Sequence, residues 1–389
     1  MHDGPRPVRP EEWDQLNVLV STVFRGTMFH DYPQLFDEQN RANLRVVAED
    51  GRVVCHVGMT ERSASLAGCR VDVACIGAVA TYEECRGKGY ASRAFQDCCD
   101  KAAADGIDLM LISGGRGLYT RVGCRRVGQD WDFDLSPENA ARLRSQLMDR
   151  FDLAPVDVDR AADLSTLYDG ERVRFLRPLE DWRMAFESRV VMARSAEFWG
   201  VSVGGTLLAY LIVNPPAAMR RHADAPAVVR VAEHGGDRAA VAAALPLLLE
   251  RSGAERLTLH VQRDDLALRV RLSNAGVDGT PSPTWGTLRV INFLQLMERC
   301  RPLLAARIGT AIARELRFEA DERPGSALGG FTIYRGSDSV RIPDLATLAT
   351  YLFGTVDGPP VEPEGSAQLA ADLASAFPLP ALWYGITYV

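Results

Sequence analysis

No run of 18 apolar residues occurs anywhere in the 389-residue chain, so a helix long enough to cross a bilayer core is not expected. Basic residues do not outnumber acidic ones: 44 Lys and Arg face 51 Asp and Glu, a formal charge of -7. That balance argues against a nucleic-acid partner and suits a cationic one, such as a polyamine, an aminoglycoside or a lysine side chain. Eight cysteines are present, yet none forms a Cys-x-x-Cys pair, and seven precede residue 125 in apolar strand or helix patterns. They are expected to be structural thiols, with no zinc or redox site and no metal. The amino end, Met1-His2-Asp3-Gly4-Pro5, has no apolar leader segment, and a reduced, cytoplasmic protein is expected.

What is present is ordinary globular composition at a length that calls for two or three domains. Helical periodicity covers 11–24 and a second helix is expected over 32–42. Asp50-Gly51 between two apolar strands reads as a two-residue hairpin, and Ala67-Gly68 as a second reversal. A strand then runs from Arg70 to Thr81, a helix from Gly89 to Ala104, and a strand over Ile107–Ile112. Residues 125–135 are expected to complete the first sheet.

The stretch Val79-Ala80-Thr81-Tyr82-Glu83-Glu84-Cys85-Arg86-Gly87-Lys88-Gly89-Tyr90-Ala91 joins a strand to a helix through a basic, glycine-bearing turn. Unpaired N–H groups at the positive end of a helix form an anion site suited to a pyrophosphate. The spacing Arg-x-x-Gly-x-Ala is neither a Walker loop nor Gly-x-Gly-x-x-Gly. It resembles the pyrophosphate motif of GCN5-related N-acetyltransferases (GNAT). About 30 residues on, Gly117-Leu118-Tyr119-Thr120-Arg121-Val122-Gly123-Cys124 resembles that family's second signature, with Cys124 where an aromatic is usual.

The resemblance implies acetyl-CoA as co-substrate. Its contacts would run from Val79, Ala80 and Thr81 through Arg86, Gly87, Lys88, Gly89, Tyr90, Ala91 and Ser92 to Ser113 and Gly114. Tyr119 would protonate the departing thiolate, and the Val79 N–H would support the oxyanion. No base stands out in this first domain: His30 and His56 lack an identifiable partner, and Glu83 and Glu84 lie in a solvated loop.

From Arg160 the order helix, helix, hairpin, strand, helix, strand restarts, which reads as a second fold of the same kind. Its turn, His234-Gly235-Gly236-Asp237-Arg238, has lost the motif and carries an aspartate where a phosphate would sit, so it is expected to be non-catalytic. Residues 285–293 open a different α+β unit. The three-part plan resembles the enhanced intracellular survival (Eis) family: tandem GNAT folds in the α+β / α/β class, then a sterol-carrier-protein-like domain. The expected divisions are 1–150, 151–283 and 284–389. That family also implies a homo-oligomer, a hexamer, and a free C-terminal carboxylate, here on Val389, as proton acceptor. The tail Trp383-Tyr384-Gly385-Ile386-Thr387-Tyr388-Val389 is apolar and aromatic, so it is expected to be buried. The function expected is acetyl transfer to a primary amine of a small cationic acceptor. Lysine acetylation, and a non-catalytic acyl-CoA or lipid binder, are the alternatives.

Overall fold

The computed structural model describes residues 2–146, 151–220, 222, 225–321 and 329–389; the domain boundary expected at 150 lies outside them. The chain forms two compact units, one of 1–128 with 284–381 and 389, the other of 129–283 with 382–388.

The first unit is built on strands β1 (His2–Pro7), β2 (Leu44–Glu49), β3 (Arg52–Leu66), β4 (Cys69–Thr81) and β5 (Leu109–Ile112), in that sheet order. Asp50 and Gly51 (φ 50° and 81°) close the β2–β3 hairpin, and Ala67 and Gly68 (52° and 96°) close β3–β4. Positive φ at both turn residues matches the right-handed twist of the strands they join. Helices α1 (Trp13–Val23) and α3 (Tyr90–Ala104), with the one-turn α2 (Met28–Asp31) between them in sequence, bury Leu16, Leu19 and Val20, and Ala94, Phe95, Cys98 and Ala102, at helical spacing. The helix expected over 32–42 is absent. Pro33 disfavours helical backbone at Tyr32, and Asp37 instead caps a 3-10 turn over Glu38–Asn43.

Two strand assignments are corrected. Asp130–Leu135 does not complete the first sheet; it pairs with Arg256–Val261 and Gly279–Ser282 in the second unit. The edge of β5 is covered instead by Thr287–Val290, in antiparallel register from Thr287 opposite Ile112 to Val290 opposite Leu109. Arg299, on the helix Phe293–Ile308, holds that region with ion pairs to Asp72 (2.6 Å) and Asp108 (2.7 Å). A separate four-stranded sheet, from Leu316–Ala320 to Glu364–Gly365, completes this unit.

The second unit has one seven-stranded sheet in which Val228–Gly236 runs antiparallel to Thr206–Asn214 and parallel to Arg256–Val261. The helix Arg238–Ser252 packs its alanine- and leucine-rich faces on it. His260 stands between two carboxylates of the neighbouring strand, Asp132 on Nδ1 (2.7 Å) and Asp130 on Nε2 (3.1 Å). With an acceptor on each ring nitrogen, both nitrogens can donate only as an imidazolium. Burial alone would lower its pKa; the hydrogen bonds and charges of Asp130 and Asp132 outweigh it and raise the group to about 9.

A raised folded pKa stabilises fully below the unfolded value of about 6.5 and loses that contribution as pH rises through the folded value. The urea midpoint of the full-length protein is therefore expected to fall more steeply between about pH 6.5 and 9.5 than that of His260→Gln. Parallel pH profiles for the two proteins would remove His260 from this role.

Candidate active site

Parallel pairing between β4 and β5 lasts four residues, from Val73 opposite Leu109 to Ile76 opposite Ile112. Ser113 seals the last rung, its amide and its hydroxyl both donating to the Ile76 carbonyl at 3.2 Å. Beyond that point Gly77–Thr81 has no strand partner on the β5 side among the described residues. The β3–β4 ladder slips by one residue here, between Gly58 opposite Gly77 and His56 opposite Ala80. Ala78 takes a left-handed φ of 48° within this bulge. Backbone groups of Val79, Ala80 and Thr81 thus line a gap, and unpaired strand backbone can be completed by the amides of an extended ligand.

The gap leads to the turn before α3. Gly87 and Gly89 have φ of 78° and 77°, a region that favours glycine, and Gly89 caps α3 without any side-chain hydrogen bond. No acidic residue stands in the first turn of this 15-residue helix, so its leading N–H groups face outward uncompensated. Arg86, Gly87, Lys88 and Gly89 are exposed, Ser92 is exposed, Ala91 is half-buried and Tyr90 is buried. Lys88 is already paired with Glu49 at 2.8 Å, which holds Glu49 below the usual carboxylate range. Arg86 is therefore the freer of the two cations the motif supplies.

Tyr119 sits on the short helix α4 (Gly117–Thr120), 4% exposed, its ring 5.3 Å from Phe95 and against Gly114. Burial pushes the phenol up to about 12, so it carries its proton at neutral pH. The Gly114 carbonyl accepts from the Thr287 hydroxyl (2.9 Å), a contact supplied by the strand that sequence reasoning assigned elsewhere.

The chain end is buried, as its composition suggested: Val389 is 4% exposed. It lies on Gly77, where a Cβ would collide with both the backbone carbon and the backbone oxygen of Val389. Gly77 was missed in the sequence. A glycine inside an otherwise apolar strand is itself the signal of a bulge or a close approach. His56, expected without a partner, is buried with Nδ1 2.8 Å from the Ala78 carbonyl. Glu83, Glu84 and His30 are exposed.

The second unit repeats this geometry with different residues. Parallel pairing again lasts four residues, Val228–Val231 against Arg256–Leu259, and a bulge again follows. The Ala232 carbonyl just beyond accepts from the Trp383 indole (2.7 Å), whose ring stacks on His260 at 3.8 Å. Glu233 stands in the bulge, bound in bidentate fashion by buried Arg177 at 2.8 Å. Asp237 caps the following helix by accepting from the amides of Ala239 and Ala240. These carboxylates occupy the donors and set the charge that a pyrophosphate would need reversed. His234 has lost solvation by burial, which lowers its pKa, and donates to no carboxylate.

Among the described residues no group of three or more His, Cys, Asp or Glu could hold a metal, and no helix is long and apolar enough to cross a membrane. All eight cysteines are free and buried.

Residues 5–127 match the family model of the acetyltransferase (GNAT) domain. No curated protein matches the chain. Solved structures share its fold at low identity. A GCN5-related N-acetyltransferase from Anabaena variabilis ATCC 29413 superposes with a TM-score of 0.68 at 15% identity, over 98% of each chain. A probable N-acyltransferase from Enterococcus faecalis V583 gives 0.67 at 14% identity, over 97% of this chain and 98% of that one. Eis1 from Mycobacterium abscessus gives 0.59 at 14%, over 91% and 90%. The strand gap, the helix start and the family match fall on the same residues, and the segment 5–127 is similar to a GNAT acetyltransferase domain.

Proposed function

We propose that the protein transfers the acetyl group of acetyl-CoA to a primary amine of a small cationic acceptor, by direct attack within a ternary complex. The observation that carries this reading is the carboxyl group of Val389 lying on Gly77, one residue past the last β4–β5 rung. A carboxylate there is a proton acceptor at the mouth of the gap where the thioester would be presented. In this reading Val79, Ala80 and Thr81 pair with the pantetheine, and Ser113 and Gly114 border it. The amides from Gly87 to Ser92, with Arg86 and Lys88, hold the pyrophosphate.

The amine gives a proton to the Val389 carboxylate and attacks the thioester carbonyl, forming the C–N bond. The oxyanion takes a hydrogen bond from the Val79 N–H. As the C–S bond breaks, Tyr119 donates its proton to the coenzyme sulfur and recovers one from solvent. The negative net charge and the carboxylate in the cleft favour a cationic acceptor.

The same reading takes the second unit's sheet as a GNAT-like fold that has lost its anion site, and 284–389 as a sterol-carrier-protein-like domain. The four-stranded sheet from Leu316 to Gly365 supports a separate α+β element in that segment. A cytoplasmic location and a homo-oligomer, a hexamer by resemblance, belong to this proposal too; light scattering tests the latter.

Release of coenzyme A, followed across polyamines, aminoglycosides and lysine peptides, tests the acceptor class. Tight acetyl-CoA binding without turnover on any of them would leave only a binding protein. Tyr119→Phe is expected to lower kcat by about 10²-fold or more with acetyl-CoA affinity nearly unchanged, the size of an acid contribution. Appending residues after Val389 is expected to lower kcat comparably, and a fully active extended protein would exclude the carboxylate base. Arg86→Glu is expected to raise the KM for acetyl-CoA by about tenfold or more, through lost phosphate binding. An unchanged KM would remove Arg86 from the site.

A further inference from the structure

Residues directly opposite each other in an antiparallel ladder direct their Cβ positions to one face, about 4.5–5.5 Å apart. Gly58 and Gly77 are such a pair. A Cβ on Gly77 would strike the Val389 carboxyl group, and a Cβ on Gly58 would come to 3.0 Å from the His56 ring and from both methyls of Leu35. The imidazole of His56 and the terminal carboxylate therefore stand over the same face of the same two strands, within about 10 Å of each other.

His56 is 0% exposed, and its tautomer is set by its surroundings. Nδ1 lies 2.8 Å from the Ala78 carbonyl, so that nitrogen carries the proton and donates. In a neutral imidazole the other nitrogen is then an acceptor, and Nε2 has no hydrogen-bond partner among the described residues. Burial holds the ring down to about 4, so it stays neutral at physiological pH. A ring this hard to protonate is a poor base but a fixed acceptor. A buried acceptor left without a donor is unfavourable, and a ligand N–H would recover that cost. Phe36 packs 5.9 Å from the imidazole, and Phe29 stacks on Phe36 at 4.3 Å, so the surroundings are apolar and aromatic.

We propose that His56 binds the acceptor substrate, its Nε2 receiving one N–H of the amine while the Val389 carboxylate receives another. This rests on the reading of Val389 as proton acceptor. A primary amine has two hydrogens to place on these two acceptors, which leaves its lone pair for the thioester carbonyl. A secondary amine has one. The geometry thus gives a reason for preferring unsubstituted primary amines.

The test uses the full-length protein, the best primary amine from the coenzyme A release panel, and its N-methyl counterpart. His56→Phe is expected to lower kcat/KM for the primary amine by about tenfold to a hundredfold. Its preference for the primary over the N-methyl amine is expected to collapse, which a purely structural role would not produce. His56→Gln keeps an acceptor oxygen and is expected to recover at least part of that preference. Should His56→Phe fail to fold, the preference of His56→Gln against wild type and His56→Leu carries the comparison. An unchanged primary-amine preference in the variants overturns the inference. The tail-extended protein, assayed alongside, separates the two readings. If it is inactive while His56→Phe behaves as wild type, only the histidine inference falls. If it is fully active, the carboxylate base falls, and His56 binds the amine only if the preference still collapses.

Discussion

The four-residue length of the parallel ladder between β4 and β5 is the constraint on which the site depends. Parallel strands that stay paired satisfy each other's backbone groups and offer a ligand nothing. Here pairing ends at Ile76, where Ser113 donates twice to one carbonyl and closes the rung. On the other side of β4 the ladder slips at Ala78, and the His56 imidazole takes up the displaced carbonyl. The bulge is thereby held by a specific hydrogen bond, which keeps Val79–Thr81 turned toward the gap. Gly77 lies between the last rung and the bulge, and it is there that the backbone is close enough for a carboxyl group to rest on it.

The second unit shows the same backbone geometry carrying different side chains. Its ladder also ends after four residues and a bulge also follows, yet the positions around the gap carry Glu233 and Asp237. Asp237 satisfies two of the helix's leading amides with its own side chain, whereas Gly89 leaves the corresponding amides of α3 without a side-chain partner. A single capping residue is enough to decide whether a helix start attracts a phosphate or is already neutralised. The ladder and bulge recur in both units; the uncapped helix start is found only in the first of these two.

What could be read from the sequence follows from how local each feature is. The turn Arg86–Ala91, the Asp50-Gly51 hairpin and the helices at 3.6 periodicity are set by neighbours in sequence, and they lie where expected. Sheet membership is not local. Asp130–Leu135 and Thr287–Val290 both alternate apolar and polar or run apolar over a few residues, and that pattern identifies a buried face without identifying the strand beside it. Residues 125–135 were therefore expected in the first sheet and 285–293 in a separate unit, and the Thr287 contact to Gly114 could not be foreseen. The helix expected over 32–42 is absent for a different reason: Pro33 disfavours helical backbone at Tyr32.

The division between binding and catalysis has the same origin. In the proposed reading most groups that would hold the coenzyme come from one continuous stretch, because a strand, a glycine turn and a helix start together make an anion site. The groups proposed to act on the acceptor and the leaving sulfur come from three separated places: Tyr119 on α4, His56 on β3 and the carboxyl group of Val389. Only folding sets their spacing, so no motif can encode it. The two glycines are the exception that makes this arrangement partly visible. Gly58 and Gly77 face each other because side chains there would displace Leu35, His56 and the chain end, so each glycine marks from within a regular strand that something else must come close. A glycine pair in facing register is thus a sequence-level trace of a site whose working groups are scattered, and it can be sought before the partner that occupies the space is known.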